Sequence, residues 1–187
     1  QDTRQALGRA IGLTAFVWGY PLVESLRTCR LQTSPAGQTE ASWRSPIDTL
    51  QHVTRVSTDA DRDVVTPAND LLYTTGWINL ASGPRLLHVP APQGHPGRYF
   101  VLALYDAWTN NLANPGLRLG PAEGEAVGLV GPGCPPAQRP GDGRRVIEAP
   151  TNLVWLIGRV LAGGGGEGAR ARALQAEIRL DAPAGGG

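Results

Sequence analysis

The stretch VVTPANDLLYTTGWINL, Val64–Leu80, changes character at its middle. Its first half reads as a turn: Pro67 restricts its own backbone angle, and the short polar side chains of Asn69 and Asp70 bond readily to nearby backbone amides. From Leu71 to Leu80 the residues become apolar, β-branched and aromatic, which predicts a strand carrying Tyr73 and Trp77.

Working outward, runs of the same kind recur at His52–Val56, Arg85–Val89, Arg98–Tyr105, Ala126–Val130, Arg144–Ile147 and Leu153–Leu161, with glycine and proline between them. Short strands at such spacing predict a mainly β fold with helical additions: an antiparallel β-sandwich or jelly-roll-like core, an N-terminal helix and a C-terminal helix. The opening helix is read from Leu7, Ala10, Ile11, Thr14, Val17 and Trp18, which recur at helical spacing between Thr3 and Tyr20. Pro21 is expected to kink or end it, with a second piece from Leu22 to about Cys29. Residues 31–47 read as a surface loop. The run Gly163–Gly166 breaks the last strand, and Glu167–Leu180 reads as the closing helix. At 187 residues and 41% hydrophobic the chain predicts one β-rich domain over 1–180, followed by a flexible tail over 181–187.

Charge and composition exclude several functions. The formal net charge is +1, with 17 basic and 16 acidic residues interspersed, so no face should carry the dense positive field that nucleic acid requires. Every basic residue is arginine; without an ε-amine, Schiff-base chemistry and P-loop phosphate binding are excluded. The chain has no methionine, not even at position 1, and its polar start Gln1-Asp2-Thr3 is what signal-peptide cleavage would leave, trimming of the start being the alternative. Cleavage implies a periplasmic or extracellular location in the cell envelope. The longest apolar stretch, Ala10–Leu26, lies between Arg9 and Arg27 and contains Pro21, so no bilayer span is expected. Cys29 and Cys134 either pair across the fold or remain free thiols.

Three clusters carry polar chemistry. In the first, Asn69 and Asp70 are turn-formers or, alternatively, Asp70 is a general base with Tyr73 as a hydrogen-bond donor and Trp77 beside them. In the second, RYFVLALYDAWTNNLANPGLR at Arg98–Arg118, a strand ends in Asp106, Trp108, Asn110 and Asn111; Arg118 either forks onto a ligand carboxylate or ties down its loop. In the third, APTNLVWLIGR at Ala149–Arg159, a central buried strand explains all but Arg159, which needs an acid or carbonyls if it points inward. The expected ligand-binding set is therefore Asn69, Asp70, Tyr73, Trp77, Asp106, Trp108, Asn110 and Arg118, with Asp70 and Tyr73 as the catalytic candidates. His52, His88 and His95 lack metal-ligand spacing, and His52 with Asp70 is the one candidate ligand pair; no metal and no cofactor are expected.

These clusters, with W-G-Y-P-L-V at Trp18–Val23, resemble the bacterial family of domain of unknown function 1254. The resemblance rests on the order Gly-Tyr-Pro-Leu-Val, V-V-x-P with Asn69-Asp70 and Leu72-Tyr73, R-Y-F with Asp106, Gly116-x-Arg118, Pro150-Thr151 and Gly158-Arg159, and runs from the opening helix to near Leu180. It implies a β-sandwich with helical additions, often exported and often followed by a second β-rich domain, 1214. That second domain is not read here, so a pocket formed between two domains would need a partner or stay open. Where relatives show Pro-Asn-x-Asp-Thr-Leu-Tyr, this chain has Pro67-Ala68-Asn69-Asp70-Leu71-Leu72-Tyr73, losing two hydrogen-bonding groups. The leading expectation is an envelope accessory or small-ligand-binding protein without turnover, possible as a homo-oligomer or subunit of a larger assembly, with Trp43 and Trp108 as exposed anchors. The rival is a small-molecule hydrolase or isomerase using Asp70 and Tyr73; a purely structural domain is the third reading.

Overall fold

The computed structural model describes residues 2–39, 42–62, 64–141, 143–163 and 167–181. It opens with α1, Thr3–Thr33, whose first turn is capped by Asp2 accepting from the Arg4 amide at 3.2 Å. The helix continues through Pro21 to Thr33, so of the expected kink or end the end does not occur there. A proline removes one backbone donor, but the apolar residues on either side keep helical spacing, and the lower half is held through Ser25, Cys29 and Gln32, buried on one side. An 18-residue stretch of α1 has mean hydropathy 1.2 and none of it is buried, so the helix is long and apolar enough to cross a membrane; a signal sequence has the same properties. The interruption at Pro21, on which a span was set aside, is not present.

The strands are β1 Gln51–Val53, β2 Leu71–Asn79, β3 Arg85–Val89, β4 Phe100–Asp106, β5 Asn111–Ala113, β6 Glu125–Val130, β7 Val146–Glu148, β8 Leu153–Leu161 and β9 Arg179–Asp181, with α2, Glu167–Glu177, before the last. They make two sheets among the described residues: a five-stranded antiparallel one in the order β1-β2-β8-β4-β5, and a four-stranded one in the order β7-β6-β3-β9. The second is mixed, because β7 runs parallel to β6 after the long 131–145 connection; the purely antiparallel expectation is corrected at that pair.

Alternation decides which side of each strand is buried. On β8, Val154, Leu156, Gly158 and Val160 face inward while Trp155, Ile157 and Arg159 face outward. Leu72, Ile78, Leu102, Leu104, Leu87, Val127 and Leu129 join them, so both sheets and the α2 residues Ala171 and Leu174 share one core. Gln175 of α2 donates to the Tyr73 carbonyl at 3.0 Å, fastening the helix over β2.

Two strands escaped the sequence reading, β5 and β9, each only three residues long. The closing helix accordingly stops at Glu177 rather than Leu180, and Asp181, assigned to the tail, pairs with Leu86 in β9. The rest of that tail and Gly164–Gly166 lie outside the described residues. Cys29, buried in α1, and Cys134 are both free thiols.

Candidate functional site

The outward face of the five-stranded sheet is a grid of side chains set by strand register. Reading from β2 across β8 to β4, its rows are Tyr73–Arg159–Val101, Thr75–Ile157–Ala103 and Trp77–Trp155–Tyr105. The β2 half of this grid is closed. Trp43 lies on the Tyr73 ring with centroids 4.4 Å apart, and the Tyr73 hydroxyl oxygen accepts from the Ala68 amide at 2.8 Å. Trp77 stacks on Trp155 at 4.7 Å and 8°, donating from its indole nitrogen to Gln32 of α1 at 2.9 Å. Trp43 is thus a buried packing residue, not the exposed anchor that was expected.

The β4 half is open. There Val101 and Ala103 floor a groove of about 600 Å³, with Tyr99, Tyr105, Arg118 and Arg159 around it. Its far wall is the chain from Pro115 to Leu119, pinned to β4 by Leu102 N–H to the Pro115 carbonyl at 2.8 Å and Leu117 N–H to the Phe100 carbonyl at 3.2 Å. Gly116 makes that approach possible: its φ is +147°, and a Cβ there would sit 2.6 Å from the Phe100 carbonyl oxygen. The wall brings the Arg118 guanidinium over the Tyr99 ring at 5.9 Å, while Arg159 lies over Tyr73, also at 5.9 Å. Neither arginine has an acidic partner among the described residues. Two planar cations without counter-charges at one groove attract an oxyanion, and each offers a fork of donors to it.

Of the eight binding candidates read from the sequence, Arg118 is the one that lines the groove. Tyr73 lies beneath Arg159 but is sealed by Trp43, and Trp77 belongs to the closed half. Asn69 and Asp70 are exposed in the bend before β2, away from the groove lining. No hydrogen bond joins Asp70 to Tyr73, so the geometry assembles no acid–base pair from them. Asp106 is buried and fully engaged in the β4–β5 turn: its carboxylate accepts from the Trp108 and Asn110 amides, both at 2.8 Å, and from the Asn110 side chain at 2.9 Å. Trp108 is half-buried against Trp18 of α1, centroids 4.4 Å apart. His52 faces Thr74, its Nδ1 2.9 Å from the hydroxyl, rather than Asp70; burial pushes its imidazole pKa down against an opposing pull from the Ile178 backbone. Among the described residues no group of three His, Cys, Asp or Glu could hold a metal ion.

Tyr99 and Tyr105 line the groove but were not singled out in the sequence, and Arg159, which was, stood outside the expected ligand-binding set. Arg159 had stood out as the charge in an otherwise apolar strand, and the period-two alternation with Trp155 and Ile157 was the signal that it points outward.

Residues 47–182 match the profile of a family described as Protein of unknown function (DUF1254). The match starts after α1, so the resemblance read into the opening helix extends beyond it. In structure the chain is similar to the VPA0106 protein from Vibrio parahaemolyticus, at 20% identity and a TM-score of 0.69, covering 89% of this chain and 36% of that one. The two share a fold, and this chain spans about a third of that protein's length. A putative uncharacterized protein from Burkholderia cenocepacia aligns at 15% identity and a TM-score of 0.40, over 72% of this chain and 34% of its own. No curated protein matches the chain.

Proposed function

The chain belongs to the DUF1254 family, and from that premise we propose that this member is an exported binding or accessory protein of the cell envelope, built as a sandwich of jelly-roll type, that holds a small carboxylate-bearing ligand in the groove on its five-stranded sheet. The observation that carries the reading is the pair Arg118 and Arg159, both facing one open groove and both without an acidic partner among the described residues. Resting each guanidinium on a tyrosine ring limits its motion, so less rotamer freedom is lost when an anion binds. The floor of Val101 and Ala103 and the rings of Tyr99 and Tyr105 suit an apolar or aromatic body attached to the carboxylate. Export is supported by the apolar, exposed N-terminal helix.

Isothermal titration with benzoate, phthalate and inorganic phosphate tests the reading. We expect the carboxylates to bind, and Arg159→Gln or Arg118→Gln to weaken binding about tenfold or more, the loss of one charge-assisted bidentate contact. The melting temperature should be unchanged in both variants. Absence of binding by all three probes, or binding indifferent to both arginines, overturns the proposal.

A further inference from the structure

We infer that the groove takes a dicarboxylate whose two carboxylates stand apart, one on each arginine; this rests on the anion-binding reading above and names the ligand class of that site. The two guanidinium groups lean in opposite directions. Arg159 of β8 is paired with Tyr73 of β2 on one side and with Val101 of β4 on the other, and its guanidinium rests over the Tyr73 ring. Arg118 rests instead over Tyr99, on the opposite side of β8 and two residues before Val101. The bridge of Gly116 to Val101 is what carries Arg118 to that end of the groove. At the spacing of neighbouring strands and of residues along a strand, the backbones bearing the two rings are about 12 Å apart.

Both resting places are held by the fold. Tyr73 is clamped by Trp43 and by the amide of Ala68, and the Tyr99 carbonyl accepts from the Leu161 amide at 2.9 Å. Bringing both forks onto a single carboxylate would take at least one guanidinium off its ring and set two like charges side by side. A ligand with a carboxylate at each end leaves both where they are. Its body then crosses Val101, the half-buried apolar side chain of the groove floor beside Arg159.

Charge balance points the same way. The groove lining holds two arginines and no acid among the described residues. Glu125, close to Gly120 at the end of the wall, is turned to Arg145 at 3.2 Å. A monocarboxylate therefore leaves one guanidinium uncompensated, and a dicarboxylate neutralises both.

Isothermal titration with benzoate, phthalate and terephthalate is the test, on the parent, Arg118→Gln, Arg159→Gln and the double variant, with each melting temperature measured alongside. Phthalate and terephthalate are isomers of equal charge, the first with adjacent carboxylates and the second with carboxylates at opposite ends of the ring, so spacing alone separates them. The expected result is terephthalate bound about tenfold or more tighter than either benzoate or phthalate, the gain of a second charge-assisted contact. That comparison uses the parent protein and needs no variant to fold. Each single variant should remove the gain, and the double variant should weaken terephthalate about a hundredfold, because contacts at separate ends act independently. Benzoate held through the arginines with no gain for terephthalate overturns this inference and leaves the anion-binding reading standing. A preference for phthalate, or a double variant no weaker than the single ones, does the same. Absence of binding by all three overturns both.

Discussion

Replacing Asp106 by alanine separates two roles for a residue that the sequence placed among the ligand-binding groups. In the structure its carboxylate accepts from the Trp108 amide, the Asn110 amide and the Asn110 side chain, at 2.8, 2.8 and 2.9 Å, and closes the turn from β4 to β5. Bonds to an ionised acceptor contribute about 1.5 kcal/mol each at the low end, hence about 4.5 kcal/mol for the three. Asn110 is exposed, so water recovers on the order of 1.5 kcal/mol when its groups are released, leaving a loss of about 3 kcal/mol. For a domain of this size that lowers the melting temperature by about 6–12 °C. Asp106→Asn should cost less, because Asn110 can turn its amide to present an oxygen to the new donor. Differential scanning calorimetry reads both shifts, and titration with benzoate reads the groove. If Asp106→Ala melts within 2 °C of the parent yet loses anion affinity as the arginine variants do, the turn assignment is wrong and Asp106 acts on the ligand.

Two further outcomes follow from the geometry. Burial holds the His52 imidazole pKa below its usual 6.5, so the folded protein resists the proton that the unfolded chain accepts. The stability tied to this group is complete above about pH 6.5 and is lost as pH falls below it; His52→Gln should therefore show a smaller drop in melting temperature between pH 7.5 and pH 5.5 than the parent, and equal drops would contradict the burial argument. Gly116→Ala forces a Cβ to within 2.6 Å of the Phe100 carbonyl at a φ of +147°, so the groove wall should lift from β4: anion affinity falls together with hydrogen-exchange protection at the Leu102 and Leu117 amides. Unaltered protection with unaltered affinity would mean that the wall does not depend on Gly116.

Much of this molecule could be read without coordinates. The strands Arg85–Val89 and Leu153–Leu161 stand at the ends the residue pattern set for them, because a buried strand declares itself through local composition and its flanking glycines and prolines. The turn made by Asp106 with Asn110 was not read, since both were placed among the ligand-binding groups, although its bonds reach no further than four residues along the chain. The course of α1 through Pro21, the three-residue strands β5 and β9, and the parallel β6–β7 pair were not legible, since each depends on a neighbour distant in sequence rather than on its own propensity.

Composition determined that the chain has no lysine chemistry, residue spacing implied a helix at each end of a run of strands, and the period-two alternation of β8 puts Arg159 on one face with Trp155. Only the tertiary structure decided which half of that face is closed. Trp43 and Gln32 come from segments that precede β2, and they cover Tyr73 and Trp77; the wall at Gly116 stands off the other half and leaves the arginines open to solvent. Strand register is written into local pattern, but what lies over a sheet is set by the packing of segments that meet only once the chain has folded.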